Sequence, residues 1–314
     1  MKITFKTAST ITCIALLSTA VYAASGVSGA NVDARGIFHD KRPMITPDSI
    51  RFGAYDPHGD FTNDGNSRIE HLFLPWEDVD LTSLTTADAY ARERDRELLI
   101  TVEPWSWSRD WRVTPEELLN GIMRGHYDSN MSAVCSAASK LKSPVTIRWA
   151  QEMDDKTGQF TWSYWSANDY VKAYQHAVNV CRKVLPNAKY MWSPKGDEGL
   201  DAYYPGDAYV DEVGLSVFGY EPYDMLELGR PTSFTERTKV AYDRVARFKR
   251  PVVIAELGYE GSDAYVRSWA KEANQPHPEF PAMAATVYFN DREVYPWPRK
   301  VGRPDWRVAN HPLD

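Results

Sequence analysis

Two glutamates stand where apolar runs give out. "TIRWAQEMDD" (Thr146 to Asp155) carries Ile147, Trp149 and Ala150 up to Gln151 and Glu152, and "VVIAELG" carries Val252 to Ala255 up to Glu256. Runs of this kind, rich in β-branched and aromatic residues, read as buried strands. A carboxylate at the end of such a strand commonly pairs or caps locally, and either position alone is open to that reading. Two of them facing one cleft are what glycoside hydrolysis needs: one protonates the departing oxygen, and the other attacks the anomeric carbon or activates water.

The aromatic residues point the same way. Eleven Trp and eighteen Tyr are present, more than core packing usually takes, and many sit beside charges in apparent loops. Trp105, Trp107 and Trp111 lie in "EPWSWSRDW", Trp162 and Trp165 in "FTWSYW", and Trp297 in "REVYPWPRKVGRPDW". Flat rings flanked by hydrogen-bonding groups suit the apolar faces of sugar rings, with structural packing as the competing use of each. Trp192 and Tyr288 close strand-like runs of their own and join the candidates. The seven histidines form no HxH or HExxH cluster and no phosphate-binding glycine loop follows an early strand, so no metal or organic cofactor is expected.

Positioning such residues takes a scaffold, and the chain supplies a repeating one. Strand patterns fall at Ser49–Tyr55, Ile69–Pro75, Glu97–Glu103, Pro144–Ala150, Ala188–Trp192, Glu212–Phe218, Pro251–Glu256 and Met283–Tyr288. Helical patterns lie between them at Thr114–Leu141, which opens with the capping sequence "TPEE", and at Ser166–Val184, Ser233–Phe248 and Ser262–Ala273. The intervals after strands one, two and five are weaker and could be irregular loops. Eight strands separated by crossovers predict a single closed (β/α)8 barrel, with an open doubly wound sheet as the rival. In a barrel the functional residues gather where strands end.

The first 23 residues read as a secretory signal peptide: Lys2 and Lys6, an apolar run from Ile11 to Val21, then Val21 and Ala23 placed for cleavage. The remainder, 24–314, reads as one catalytic-size domain, secreted or periplasmic, expected to be a monomer free of the membrane. A formal charge of -7 argues against nucleic acid as a partner, and a polysaccharide is the expected one. Cys13 falls in the leader. Cys135 and Cys181 either pair, as an oxidising compartment allows, or remain two buried thiols on neighbouring helices.

The sequence also resembles a known family. "RWAQEMDD" followed by "FTWSYW" is similar to the acid/base segment of glycoside hydrolase family 26, "YYPGDAYVDEVGLSVFGY" (Tyr203 to Tyr220) to its sixth-strand segment, and "VVIAELG" to its nucleophile strand. "FGAYDP" and "DWR" (Asp305 to Arg307) fit as well. The resemblance implies a retaining endo-acting (β/α)8 glycosidase, of the kind that includes β-1,4-mannanases, mixed-linkage β-glucanases and β-1,3-xylanases. Carried over, Glu152 is the acid/base, Glu256 the nucleophile, Tyr220 the hydroxyl that holds the nucleophile, and Arg148 a cation beneath the site. Gln151 departs from the family's His and Asp154 from its Asn, and the clan's platform Trp after strand eight is missing, leaving Tyr288 or Phe289. Gln151 bears on which sugar the reactive subsite accepts, and with the missing platform Trp it motivates an alternative: a polysaccharide-binding or exopolysaccharide-processing protein with lost or altered turnover.

Overall fold

The computed structural model describes residues 40–311; the expected signal peptide lies outside them. Eight parallel strands close in sequence order into a barrel: β1 (Arg51–Tyr55), β2 (Ser67–Pro75), β3 (Glu97–Glu103), β4 (Val145–Trp149), β5 (Lys189–Trp192), β6 (Glu212–Tyr220), β7 (Val252–Glu260) and β8 (Met283–Phe289). All eight expected strands are present. The closed sheet disposes of the open doubly wound rival.

Among the described residues seven α-helices cover the barrel: α1 (Ser83–Glu93), α2 (Pro115–Met123), α3 (Asp128–Ala138), α4 (Ala167–Arg182), α5 (Glu221–Leu228), α6 (Phe234–Val245) and α7 (Asp263–Glu272). The single helix expected over Thr114–Leu141 is two. Gly125 takes a left-handed φ of 76° after α2, a conformation in which an L side chain is strained, and the chain turns there. The predicted start is correct: the Thr114 side chain accepts from the Glu117 N–H and Glu117 answers it, closing a capping box. No helix joins β1 to β2, where the Asp56 carboxylate instead organises a turn by accepting the N–H groups of Asp60 and Phe61. Between β5 and β6 there is only a 3-10 turn, Leu200–Tyr203.

The alternation of strand residues separates two cores. Ile69, Leu99, Met191, Val253, Ala255, Ala285 and Val287 form a cluster inside the barrel. Their neighbours Leu98, Ile100, Ile147, Tyr190, Leu215, Val252 and Ile254 belong to the larger layer beneath the helices. This parity decides which strand-end side chains reach the cleft. Cys135 of α3 and Cys181 of α4 are joined by a disulfide, so the first of the two readings applies.

Candidate active site

Parity alone would turn Glu256 away from the cleft. Val253 and Ala255 face inward and Ile254 outward, so the next residue should face the helices. Instead β7 carries a bulge: Leu215 of β6 pairs with Ile254, but Ser216 pairs with Glu256, leaving Ala255 as an extra residue. The β8 side shows the same slip, with Ile254 opposite Thr286 and Leu257 opposite Tyr288. After the bulge Leu257 and Tyr259 join the outer layer, and Glu256 points to the barrel mouth. A bulge re-aims a side chain at the cost of a locally disrupted ladder. The strand continues to Glu260, so Glu256 lies within β7 rather than at its end.

Glu256 is 9% exposed, and its Oε1 lies 2.7 Å from Arg148 Nη1. Arg148 is fully buried on the inward face of β4; its Nε donates to Ser193 Oγ at 2.9 Å and its Nη1 reaches Thr101 Oγ1 at 3.3 Å. Thr101 in turn meets His71 Nε2 at 2.8 Å. Burial and the adjacent Arg148 hold the His71 imidazole well below its usual range, so it stays neutral. Burial pushes the Glu256 carboxyl above its ordinary value, while the Arg148 charge and hydrogen bond oppose the rise; Glu293 and Glu103 add to it.

Glu152 sits beyond the end of β4 on a strained backbone. Ala150 and Glu152 both take left-handed φ values, 49° and 54°, conformations that cost a non-glycine residue of order 1 kcal/mol or more and persist only where the surroundings impose them. Here they do. The Ala150 N–H donates to Val102 O at 3.2 Å, the Glu152 N–H to Ser193 O at 2.7 Å, and Trp162 Nε1 to the Gln151 carbonyl at 2.6 Å. Tyr170 donates its hydroxyl to Ala150 O. Glu152 keeps partial access to the cleft, and burial together with the Glu256 charge pushes its carboxyl up to about 7; Lys195, the Ser216 hydroxyl and Arg148 pull the other way. The result is two neighbouring carboxyls in unlike settings, one paired with a buried guanidinium and the other disposed to keep its proton near neutral pH.

Around this pair the structure sorts the remaining candidates. Glu103, at the end of β3, accepts from Gln151 Nε2 at 3.0 Å, Trp105 Nε1 at 3.0 Å and Trp107 Nε1 at 2.7 Å. Gln151 is therefore tied to a carboxylate beside the acid/base candidate. Trp107 is 47% exposed, and Trp111 is 62% exposed. Trp105, Trp162 and Trp165 are buried: Trp105 packs on Trp162 under the Arg112 guanidinium, and Trp165 donates to Pro115 O. Trp192 is a correction, because it follows inward-facing Met191 and so turns outward, packing on Tyr204 and Phe248. Tyr288 is another: it follows inward-facing Val287, is fully buried and donates to Trp306 O at 2.6 Å. Phe289, one residue on, has the inward parity and meets Tyr55 of β1, Phe73 of β2 and Phe218 of β6 at the mouth. Tyr220 lies opposite Glu260, four residues past Glu256, and donates its hydroxyl to Val301 O at 2.8 Å. The holding of Glu256 expected of Tyr220 falls to Arg148 instead.

Three participants escaped the sequence reading. Lys195 follows β5, and Glu293 lies in the segment after β8, where burial raises its carboxyl and Glu152 adds to the rise. Phe73 was hidden inside a strand pattern. The signal that could have found Phe73, and chosen Phe289 over Tyr288, is parity counted from the strand interior. Among the described residues no group of three or more His, Cys, Asp or Glu side chains is placed to hold a metal ion.

A closed (β/α)8 barrel with a carboxyl pair at the C-terminal mouth of β4 and β7 defines the class of scaffold used by many glycosidases. The sequence profile described as Glycosyl hydrolase family 26 matches residues 120–294, more than half of the chain, and the chain belongs to that family. It is 23% identical over 261 residues to endoglucanase H of Acetivibrio thermocellus, a match covering 78% of this chain and 26% of that protein. A β-1,3-xylanase of a Vibrio species is 26% identical over 107 residues, 32% of this chain and 22% of the other. The chain thus spans about a quarter of the length of these relatives. In fold it is similar to GH26C from a Muricauda species (TM-score 0.59, 14% identity, 77% of this chain and 79% of the other). A GH26 β-mannanase from Bacteroides ovatus is comparable (TM-score 0.56, 16% identity, 77% and 81%).

Proposed function

We propose that the protein is a retaining endo-β-glycanase, with Glu152 as acid/base and Glu256 as nucleophile. The observation that carries this reading is the unlike setting of the two carboxyls: Glu152 raised to about 7 by burial and its neighbour's charge, Glu256 ion-paired with Arg148. In the first step Glu256 attacks the anomeric carbon as Glu152 delivers its proton to the departing oxygen. In the second, Glu152 takes a proton from water, the water oxygen bonds to the anomeric carbon, and Glu256 leaves as carboxylate. Trp107, exposed and anchored on Glu103, is a sugar platform at the edge of the cleft, and Gln151 orients Glu103 or a sugar hydroxyl.

Relatives named endoglucanase, β-1,3-xylanase and β-mannanase support a β-linked polysaccharide as substrate. β-1,4-Mannan, mixed-linkage β-glucan and a bacterial exopolysaccharide are the candidates. Export is supported by the leader-like first residues and by the Cys135–Cys181 disulfide, which suits an oxidising compartment. Among the described residues no helix is long and apolar enough to cross a membrane.

The test is a panel of these glycans read by mass spectrometry, with Glu152→Ala and Glu256→Ala beside the parent. The expected outcome is oligosaccharide release by the parent alone, and glycosyl azides of opposite anomeric configuration when azide rescues the two variants. Hydrolysis unchanged by Glu256→Ala would sink the assignment. Tight binding without products from any glycan would favour the binding or processing alternative.

A further inference from the structure

An ammonium group stands beside Glu152 that the reaction as described does not use. Lys195 lies in the loop after β5, partly buried, with Nζ 2.6 Å from Asp155 Oδ1. This loop is clamped to the Glu152 segment from both sides. The Asp154 carboxylate accepts the backbone N–H groups of Lys195, Gly196 and Asp197 at 2.6, 2.9 and 2.8 Å. The Glu152 N–H donates to Ser193 O at 2.7 Å, and the Asp155 N–H to Glu152 O at 3.0 Å. Asp155 is further fixed by the Thr157 hydroxyl at 2.5 Å. A simple loop staple explains Asp154. It leaves unexplained why the second aspartate holds an ammonium group whose charge is felt at a carboxyl that has to give up its proton.

We propose that Lys195, tethered by Asp155, is a positioning residue that stabilises the ionised form of Glu152 while the glycosyl-enzyme is broken down; this rests on the assignment of Glu152 as acid/base. In the free enzyme the negative Glu256 and burial keep Glu152 protonated. Once Glu256 is bonded to the sugar its charge is gone, and the cation remains. Glu152 then takes its proton from water as a carboxylate, and Lys195 exchanges none. Burial works against the Lys195 charge, but the carboxylates of Glu152, Asp155 and Asp197 outweigh it and keep the ammonium protonated. The groups facing Glu152 come from five elements: Arg148 of β4, Lys195 after β5, the Ser216 hydroxyl of β6, Glu256 of β7 and Glu293 after β8. Of the two cations, Arg148 is ion-paired with Glu256 and Lys195 with Asp155, and Lys195 acts the more strongly on Glu152.

The experiment follows the Glu152 carboxyl directly, by NMR titration of the full chain carrying carbon-13-labelled glutamate, with the signal assigned through Glu152→Gln. In Lys195→Met the midpoint of Glu152 moves up by about one pH unit, as expected for loss of a nearby opposite charge, and Lys195→Arg leaves it near the parent value. Lys195→Gln, which can keep a hydrogen bond to Asp155 and so the loop, repeats the shift if the Met variant fails to fold. On a cleaved glycan, Lys195→Met lowers kcat about tenfold more than kcat/KM, and glycosyl-enzyme accumulates in intact-mass spectra. An unmoved midpoint in a folded Lys195 variant overturns the proposal. Because the titration needs no substrate, absence of turnover on every glycan refutes the catalytic assignment separately.

Discussion

Replacing Glu152 by Gln should stabilise the protein, and by an amount that depends on pH. Glu152 titrates near 7 in the folded chain against an ordinary value of 4.5. Below pH 4.5 the carboxyl is protonated in folded and unfolded chains alike, and its preference for the neutral form contributes fully. As pH rises from 4.5 to about 7 the unfolded chain ionises while the fold still holds the proton, so stability falls by about 1.4 kcal/mol per pH unit. Above 7 the loss is complete, at about 3 kcal/mol, trimmed to about 2 to 3 by cleft water reaching the partly exposed side chain. Glutamine keeps the shape and never ionises, so that loss disappears. It also relieves Glu256 of a like charge. Chemical denaturation of parent and Glu152→Gln at pH 4.5 and pH 8 should therefore show little difference at the first and a gain of about 2 to 3 kcal/mol at the second, or about 5 °C in Tm for a domain of this size. Equal stability differences at the two pH values would refute the reasoning, because Glu152 would then ionise as an ordinary surface carboxyl does.

Arg148→Met leaves Glu256 buried without its cation; the carboxyl should rise further, the proton shared by the pair should move onto it, and kcat/KM at pH 7 should fall about a hundredfold, which a pH–rate profile checks. Changing Cys135 and Cys181 to Ser together opens a loop of 46 residues and should cost up to about 4 kcal/mol in the chain-entropy description; reducing agent should lower the parent's Tm and leave the variant's unchanged. Trp107→Ala should raise KM with little change in Tm, since about half of the residue is already exposed, whereas Trp192→Ala should cost about 3 to 5 kcal/mol of stability, since the ring is fully buried in the outer core. Thermal scans beside kinetics on any cleaved glycan separate the two.

Eight strands could be read from the sequence because each is a short apolar run bounded by polar turns, and the order of runs is all that a barrel of neighbours requires. The helix boundary at Gly125 was harder to see. "RGHYD" is polar on every side, and only the left-handed backbone of Gly125, with the Tyr127 ring seated against Gly121, shows that the chain turns rather than continues. Helices after β1 and β5 are replaced by segments held by side-chain carboxylates, Asp56 accepting the N–H groups of Asp60 and Phe61 and Asp154 those of Lys195, Gly196 and Asp197. Such hydrogen bonds leave no periodic trace.

At the site, legibility followed parity, and parity failed at one residue. Trp192 and Tyr288 had the composition of platforms, yet each follows an inward-facing neighbour and so turned to the helices. Glu256 has the wrong parity by the same count. It reaches the cleft because Ala255 is an extra residue in β7, and a bulge adds nothing to a pattern of apolar residues that a sequence reader could count. Glu152 likewise depends on two left-handed residues, Ala150 and Glu152, neither of them glycine. Both carboxyls were found through residue type and spacing, while their actual aim rests on irregular backbone that the surrounding hydrogen bonds impose. Irregular backbone stands at both members of the pair: β7 slips at Ala255, with a further slip between Val252 and Val253, and the chain just past β4 turns left-handed at Ala150 and Glu152. It is what bringing two acids to one point requires.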